Sequence, residues 1–239
     1  MTLPRLLQEA REGYMARPDL THLDLDFVAP VGCKKCPRLY DFISSHKAKY
    51  PDWHNGAVPS FGSIDAEILI VGLAPGLRGA NATGRPFTGD FAGDTLYQAL
   101  SRHGFASGSF DRHAHDTLAL HNVRITNAVK CVPPQNKPTG AEINTCRDHF
   151  LIPEIQRMKH LKMILALGGI AHKALIKTFN LQQSAYPFGH LACHDTGMQS
   201  GRQLMIIDSY HCSRYNVNTN RLTVEMFDKV ITYLRDNAS

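Results

Sequence analysis

Four short, largely apolar runs recur along the chain, at residues 67–73 (EILIVGL), 122–129 (NVRITNAV), 162–168 (KMILALG) and 203–209 (QLMIIDS), with helix-like segments between them. A strand with one face in water alternates apolar and polar residues, whereas a run without that alternation belongs to a strand covered on both faces. The intervening segments, 94–103, 139–158, 169–179 and 222–235, have helical spacing. The second opens with Thr139-Gly140-Ala141-Glu142, in which a Thr N-cap and a Glu three residues later predict a capping box. This alternation predicts an α/β fold: three layers, α/β/α, around a central four-stranded parallel sheet flanked by helices. Ligands of such sheets bind beyond the carboxyl ends of the strands, so chemistry is expected in 74–93, 130–138 and 210–220.

The chain has 239 residues and no Pro-, Gly- or Ser-rich linker, which predicts a single domain over 1–239 with a core of about 31–236 and an N-terminal extension at 1–30. The first residues carry no continuous apolar stretch, and the greasiest segment, 161–176, is interrupted by Lys162, His172 and Lys173. No membrane span is expected, and the protein is expected to be cytoplasmic and monomeric. The net charge of +5 suits a polyanionic partner without requiring one.

In a reducing compartment disulfides are rare, so six cysteines point toward a metal site and spares. Cys33-Lys34-Lys35-Cys36-Pro37 is a tight turn able to aim two thiolates at one centre. Cys131 follows directly on the second predicted strand, and Cys146, fourteen residues further on, lies in the capped helix. Four thiolates suit zinc or a [4Fe-4S] cluster, and ligand identity alone does not separate them. Cys193 and Cys212 do not fit this spacing; Cys193 with His190 and His194 is a lesser candidate for a second metal site, with incidental side chains the expected reading.

The three strand-end segments carry distinctive sequence. The first reads Gly72-Leu73-Ala74-Pro75-Gly76 and then Thr83-Gly84-Arg85-Pro86-Phe87-Thr88-Gly89-Asp90. So much glycine after a strand implies close backbone approach to a ligand or a neighbouring segment, yet it matches neither a dinucleotide fingerprint nor a phosphate loop ending in Gly-Lys-Ser/Thr. The second, Cys131-Val132-Pro133-Pro134-Gln135-Asn136-Lys137-Pro138, is stiffened by three prolines. The third is Ser209-Tyr210-His211-Cys212-Ser213-Arg214-Tyr215-Asn216.

Together these segments resemble the iron-sulfur uracil-DNA glycosylases, most closely the fifth family, whose loops read GLAPG…TGRPFTGD and YH-x-SR-x-N. The resemblance runs from about residue 33 to 233. The related fourth family has a Glu two residues before the Pro of the first motif, where this chain has Leu73; the fifth family assigns the acidic role to the position of Asp90. In one respect the chain is closer to the fourth family: Asn127, near the end of the second strand, matches the carboxamide that reads uracil, and it puts the fifth family's breadth toward deaminated purines in doubt.

The resemblance implies an enzyme that everts uracil from double- or single-stranded DNA and hydrolyses its N-glycosidic bond without cutting the strand. His211 is expected to donate to uracil O2 as the base leaves as an anion, Asp90 to orient or deprotonate the attacking water, and Asn136 to hold water or the base edge. Phe87 is expected to stack on the base, with Asn127 and the backbone at Leu73 and Ala74 contacting it. Arg85 and Lys137 are expected to hold phosphates, and Ser213, Arg214 and Tyr215 to wedge the duplex. The cluster on Cys33, Cys36, Cys131 and Cys146 is expected to be structural, the resemblance favouring iron over zinc. Two readings stay open beside uracil excision: a glycosylase preferring hypoxanthine or another deaminated base, and a non-catalytic protein that binds damaged DNA. A zinc-bound interaction module would explain the cysteines but leave the three loops without a purpose.

Overall fold

The computed structural model describes residues 27–199 and 201–238, so most of the expected extension at 1–30 lies outside the described residues. The four apolar runs form β1 (Ile68–Gly72), β4 (Val123–Asn127), β5 (Met163–Leu167) and β7 (Arg202–Ser209), all mutually parallel. A fifth strand, β6 (Cys193–Gln199), runs antiparallel along β7 and closes one edge, giving the order β4-β1-β5-β7-β6. The expected four-stranded parallel sheet is therefore the parallel part of a five-stranded mixed sheet. The sequence CHDTGMQ of β6 carries no apolar strand signature because an edge strand with alternate residues in water needs little apolar content. A short ribbon, β2 (Ala106–Ser107) with β3 (Ala119–Leu120), stands apart from the main sheet.

Every residue of β1, β4 and β5 is buried, because helices cover both faces. Ile68, Ile70, Ile125 and Leu165 point to one side, where they meet Leu96 and Leu100 of α3 (Phe91–Arg102) and Phe227, Ile231 and Leu234 of α8 (Val224–Asn237). Leu69, Val71, Ile164 and Ile206 point to the other, where they meet Leu175 of α6 (Gly169–Thr178) and Ile155 of α5 (Ile152–Arg157). The period of two along each strand thus feeds two cores from one sheet. A third, smaller core gathers Leu39 and Ile43 of α1 (Pro37–Lys49) with Val129, Val132 and Phe150 around the four cysteines. Helix α1 was not predicted, although Pro37 at its first turn and the Leu39, Ile43 pair four residues apart are its signal.

The capped helix opens as expected: Thr139 Oγ1 accepts from the Glu142 amide at 3.3 Å, and Glu142 Oε2 accepts from the Thr139 amide at 2.7 Å. It runs as α4 (Gly140–Cys146), widens into a π-turn at Arg147–Leu151, and continues as α5. Pro153, which has no amide hydrogen to give, sits at the start of that continuation.

One buried charge cluster fixes the end of β4 to this helix. Glu154, wholly buried, accepts from Arg124 Nε at 2.6 Å and from Lys130 Nζ at 2.8 Å, and Thr126 Oγ1 also reaches it. Burial by itself would raise the Glu154 carboxyl, but Lys130 and Arg124 outweigh that cost and hold it well below its ordinary value. Glu154→Gln keeps the shape but leaves two buried cations short of a counter-ion. It is expected to cost about 3–5 kcal/mol in urea unfolding; a loss below roughly 1 kcal/mol would mean that the cluster contributes little.

Candidate active site

Parallel pairing places the carboxyl ends of β1, β4 and β7 along one rim. In register, Gly72 of β1 lies beside Asn127 of β4, and Leu167 of β5 beside Ser209 of β7. The loops that leave those ends enclose a cavity of about 760 Å³, within the range of small-ligand sites. Leu73, Ala74, Phe87, Asp90, Asn127, Asn136, His211, Ser213 and Arg214 all line it. Residues from three separate parts of the sequence thus converge on one concavity. Arg78, exposed at its rim, was not anticipated and lies in the loop between β1 and the short helix α2 (Ala80–Thr83).

The cavity wall is built at close range. A side chain at Gly72 would bring its Cβ to 2.5 Å from Asn127 Oδ1 and 2.7 Å from Phe87 Cζ, so the absence of one lets those two groups meet. The Phe87 ring stacks with the His211 ring at 5.9 Å and 27°. Phe87 is buried and holds φ +52°, a left-handed backbone that a non-glycine residue keeps only under constraint from its surroundings.

Asp90 is the N-cap of α3, where Oδ1 accepts from the Gly93 amide at 3.2 Å. Its other oxygen, Oδ2, lies against the glycine loop: a Cβ at Gly79 would stand 2.6 Å from it and one at Gly76 3.2 Å. The helix terminus therefore anchors one carboxylate oxygen and leaves the second beside the cavity. Burial pushes the His211 imidazole below the ordinary histidine value, partly opposed by the Asp90 charge, so the ring is neutral at neutral pH. The carbonyl of His211 accepts from Asn216 Nδ2 at 2.8 Å, which ties the His loop to α7 (Arg214–Asn218), capped by Ser213.

Three of the expected DNA contacts, Arg85, Lys137 and Tyr215, do not line the cavity. Arg85, expected at a phosphate, is 5% exposed and turned inward, its guanidinium forked onto Asp116 at 2.6 and 2.7 Å; it is not available to DNA. Lys137 is exposed beyond the cavity lining, and its carbonyl accepts from Arg38 Nη2 at 3.1 Å. Tyr215, 71% exposed, stands outside on α7. The exposed Arg214 guanidinium lies over the Phe91 ring at 5.4 Å.

Cys33, Cys36, Cys131 and Cys146 line a second, small cavity between α1, the end of β4 and α4. Burial pushes the Cys36 and Cys131 thiols upward and Cys146 to about 11, each crowded by its neighbours, so a bound cation would supply the charge that thiolates need there. The Lys130 amide donates to Cys146 Sγ at 3.2 Å. Arg38, two residues beyond Cys36, grips Glu142 of the capping box at 2.7 Å and so joins the two cysteine-bearing segments. Among the described residues, the group of His, Cys, Asp and Glu atoms lying within 4.8 Å of one another is His172, His194 and Asp208, not the cysteines. In that trio Asp208 accepts from His172 Nδ1 at 2.8 Å and from His194 Nε2 at 2.9 Å, a hydrogen-bonded set that uses the ligand atoms. Cys193 is exposed and His190 stacks on Tyr210, so His194 finds its partners in neither of them.

The strand ends of an α/β sheet thus present an Asp, a neutral His and two Asn side chains to one cavity. A family model described as the uracil DNA glycosylase superfamily matches residues 59–235, and the chain belongs to that superfamily. It is 42% identical over 205 residues to the type-5 uracil-DNA glycosylase of Thermus thermophilus, covering 83% of this chain and 90% of that protein. The type-5 uracil-DNA glycosylase of Pyrobaculum aerophilum is 35% identical over 84% of this chain and 87% of its own length. The type-4 enzyme of the same organism is 34% identical over 75% of this chain and 76% of that protein. No helix among the described residues is long and apolar enough to cross a membrane.

Proposed function

We propose that residues 31–236 act as one glycosylase domain that draws uracil out of DNA and hydrolyses its N-glycosidic bond, leaving an abasic site. The observation that carries this reading is the convergence of Asp90, His211, Asn127 and Phe87 on one cavity in a chain of this superfamily.

A base inside a duplex is out of reach, so the nucleotide must turn out of the stack. In the cavity the pyrimidine lies against Phe87 while the Asn127 carboxamide pairs with N3–H and O4, a pattern that cytosine cannot match. As the glycosidic bond stretches, negative charge collects on the base and positive charge on the sugar. Neutral His211 donates to O2 and steadies the leaving anion without first giving up a proton. The free oxygen of Asp90 faces the sugar, where its charge favours the cation and it can orient or take a proton from water. Asn136, exposed on the proline-rich loop, holds the water or the base edge, and Leu73 and Ala74 offer backbone contacts. Lys137, Ser213, Arg214 and Tyr215 meet the DNA around the opening.

Cys33, Cys36, Cys131 and Cys146 hold a [4Fe-4S] cluster in this reading. The cluster's part is to fix the cysteine-bearing segments on either side of the proline-rich loop.

Two outcomes are expected. With a duplex bearing one uracil opposite guanine, the protein produces strand breaks only after alkali, and Asp90→Asn slows base release by about 10²–10⁴-fold; a folded wild-type protein that leaves the duplex intact contradicts the proposal. Protein purified without oxygen is brown and carries about four irons per chain, and Cys131→Ala loses both colour and iron. Stoichiometric zinc in a colourless, active protein would overturn the iron assignment.

A further inference from the structure

Arg85 stands inside the motif that supplies Phe87 and Asp90, yet it does not line the cavity between the loops. Its Nη1 and Nη2 fork onto Asp116 at 2.6 and 2.7 Å, and its Nε donates to Thr88 Oγ1 at 2.9 Å. The guanidinium is enclosed by the rings of Phe61, Tyr97 and Phe110, at 5.0, 5.6 and 5.7 Å. Asp116 belongs to no motif. It lies just before β3 and also accepts from the amides of Asp111 and Leu118, at 3.0 and 3.2 Å.

We propose that the Arg85, Asp116 pair is a positioning device for base release. Asp116 fixes Arg85, and Arg85 acts through Thr88 to hold the segment that turns Phe87 and Asp90 toward the everted base. The proposal rests on the glycosylase reading and adds to it a residue from outside the three loops.

The geometry of residues 83–90 calls for such a device. Phe87 is left-handed, and its carbonyl folds over the first turn of α3 so closely that a Cβ at Gly93 would lie 1.8 Å from it. The same turn carries the amide that anchors Asp90. Phe87 and Asp90 therefore move together if the segment shifts. Thr88 Oγ1, besides accepting from Arg85, reaches the Pro86 carbonyl at 3.2 Å, and the Tyr97 hydroxyl donates to that carbonyl at 2.6 Å. Thr83 Oγ1 donates to the Thr88 carbonyl at 3.2 Å. The planar guanidinium grips both Asp116 oxygens with its two terminal nitrogens while Nε serves Thr88, a fixed bidentate geometry that a compact ammonium does not reproduce. Arg85 holds the Asp116 carboxyl down at about 2, so the pair is ionised at neutral pH.

The test compares wild type with Asp116→Asn and with Thr88→Val, which keeps the ion pair but removes the Arg85 to Thr88 bond. Single-turnover uracil release, binding of a non-hydrolysable deoxyuridine duplex and hydrogen exchange over 83–90 are read for each. Asp116→Asn is expected to slow release by about 10- to 100-fold, with duplex affinity held within about twofold and exchange accelerated in 83–90 but not in the sheet. Thr88→Val is expected to shift rate and exchange in the same direction. A folded Asp116→Asn that releases uracil at the wild-type rate overturns the proposal, and so does unchanged exchange in 83–90. Wild-type protein that releases no uracil sinks the glycosylase reading instead, while the exchange comparison still decides whether the pair holds the segment.

Discussion

Parallel hydrogen bonding between β1 and its neighbours β4 and β5 is the constraint on which the rest depends. Because these strands run the same way, their carboxyl ends lie together and the loops that leave them share one rim. Gly72 beside Asn127 is the closest expression of this. A one-residue slip in that pairing would send Asn127 to the opposite face and replace the glycine gap with a side chain. The two cores on either side of the sheet, fed by alternate residues of the same strands, make such a slip costly.

Onto this rim the chain adds three separate restraints, one for each loop. The motif carrying Phe87 and Asp90 is gripped from beneath by buried Arg85, and Asp90 is anchored on the start of α3. The proline-rich loop lies between the end of β4, locked by Glu154, and the capped helix α4, with Arg38 bridging to Glu142 and to the Lys137 carbonyl. The His loop is drawn back by Asn216 and by the cap on α7. Catalytic groups placed by such restraints need little reorganisation when substrate arrives, which is where positioned dipoles and charges are most effective.

Much of this was legible before any coordinates. β1 and β5, buried on both faces, leave an unbroken apolar signature, and β4 and β7 a partly apolar one, so all four strands lie close to the bounds their sequence suggests, and the Thr139, Glu142 box announced α4. The superfamily was legible because its loops are read as strings of residues. What escaped depends on partners far apart in sequence. Edge strand β6 has the polarity of a loop. Arg85 reads as a free cation within its motif, and only the fold reveals Asp116, thirty-one residues away, and the three rings around it. Likewise the lesser candidate of Cys193 with His190 and His194 gives way, as the incidental reading expected, to a fold that turns His194 onto Asp208, which also holds His172.

The central claim is that one everted pyrimidine occupies the cavity between these loops. A crystal structure of the protein bound to a duplex carrying a non-hydrolysable deoxyuridine analogue tests it most directly. The account predicts the base outside the stack, its face against Phe87, its edge on Asn127 and its O2 toward His211. A base still stacked in the duplex, or lodged anywhere other than this cavity, would contradict it.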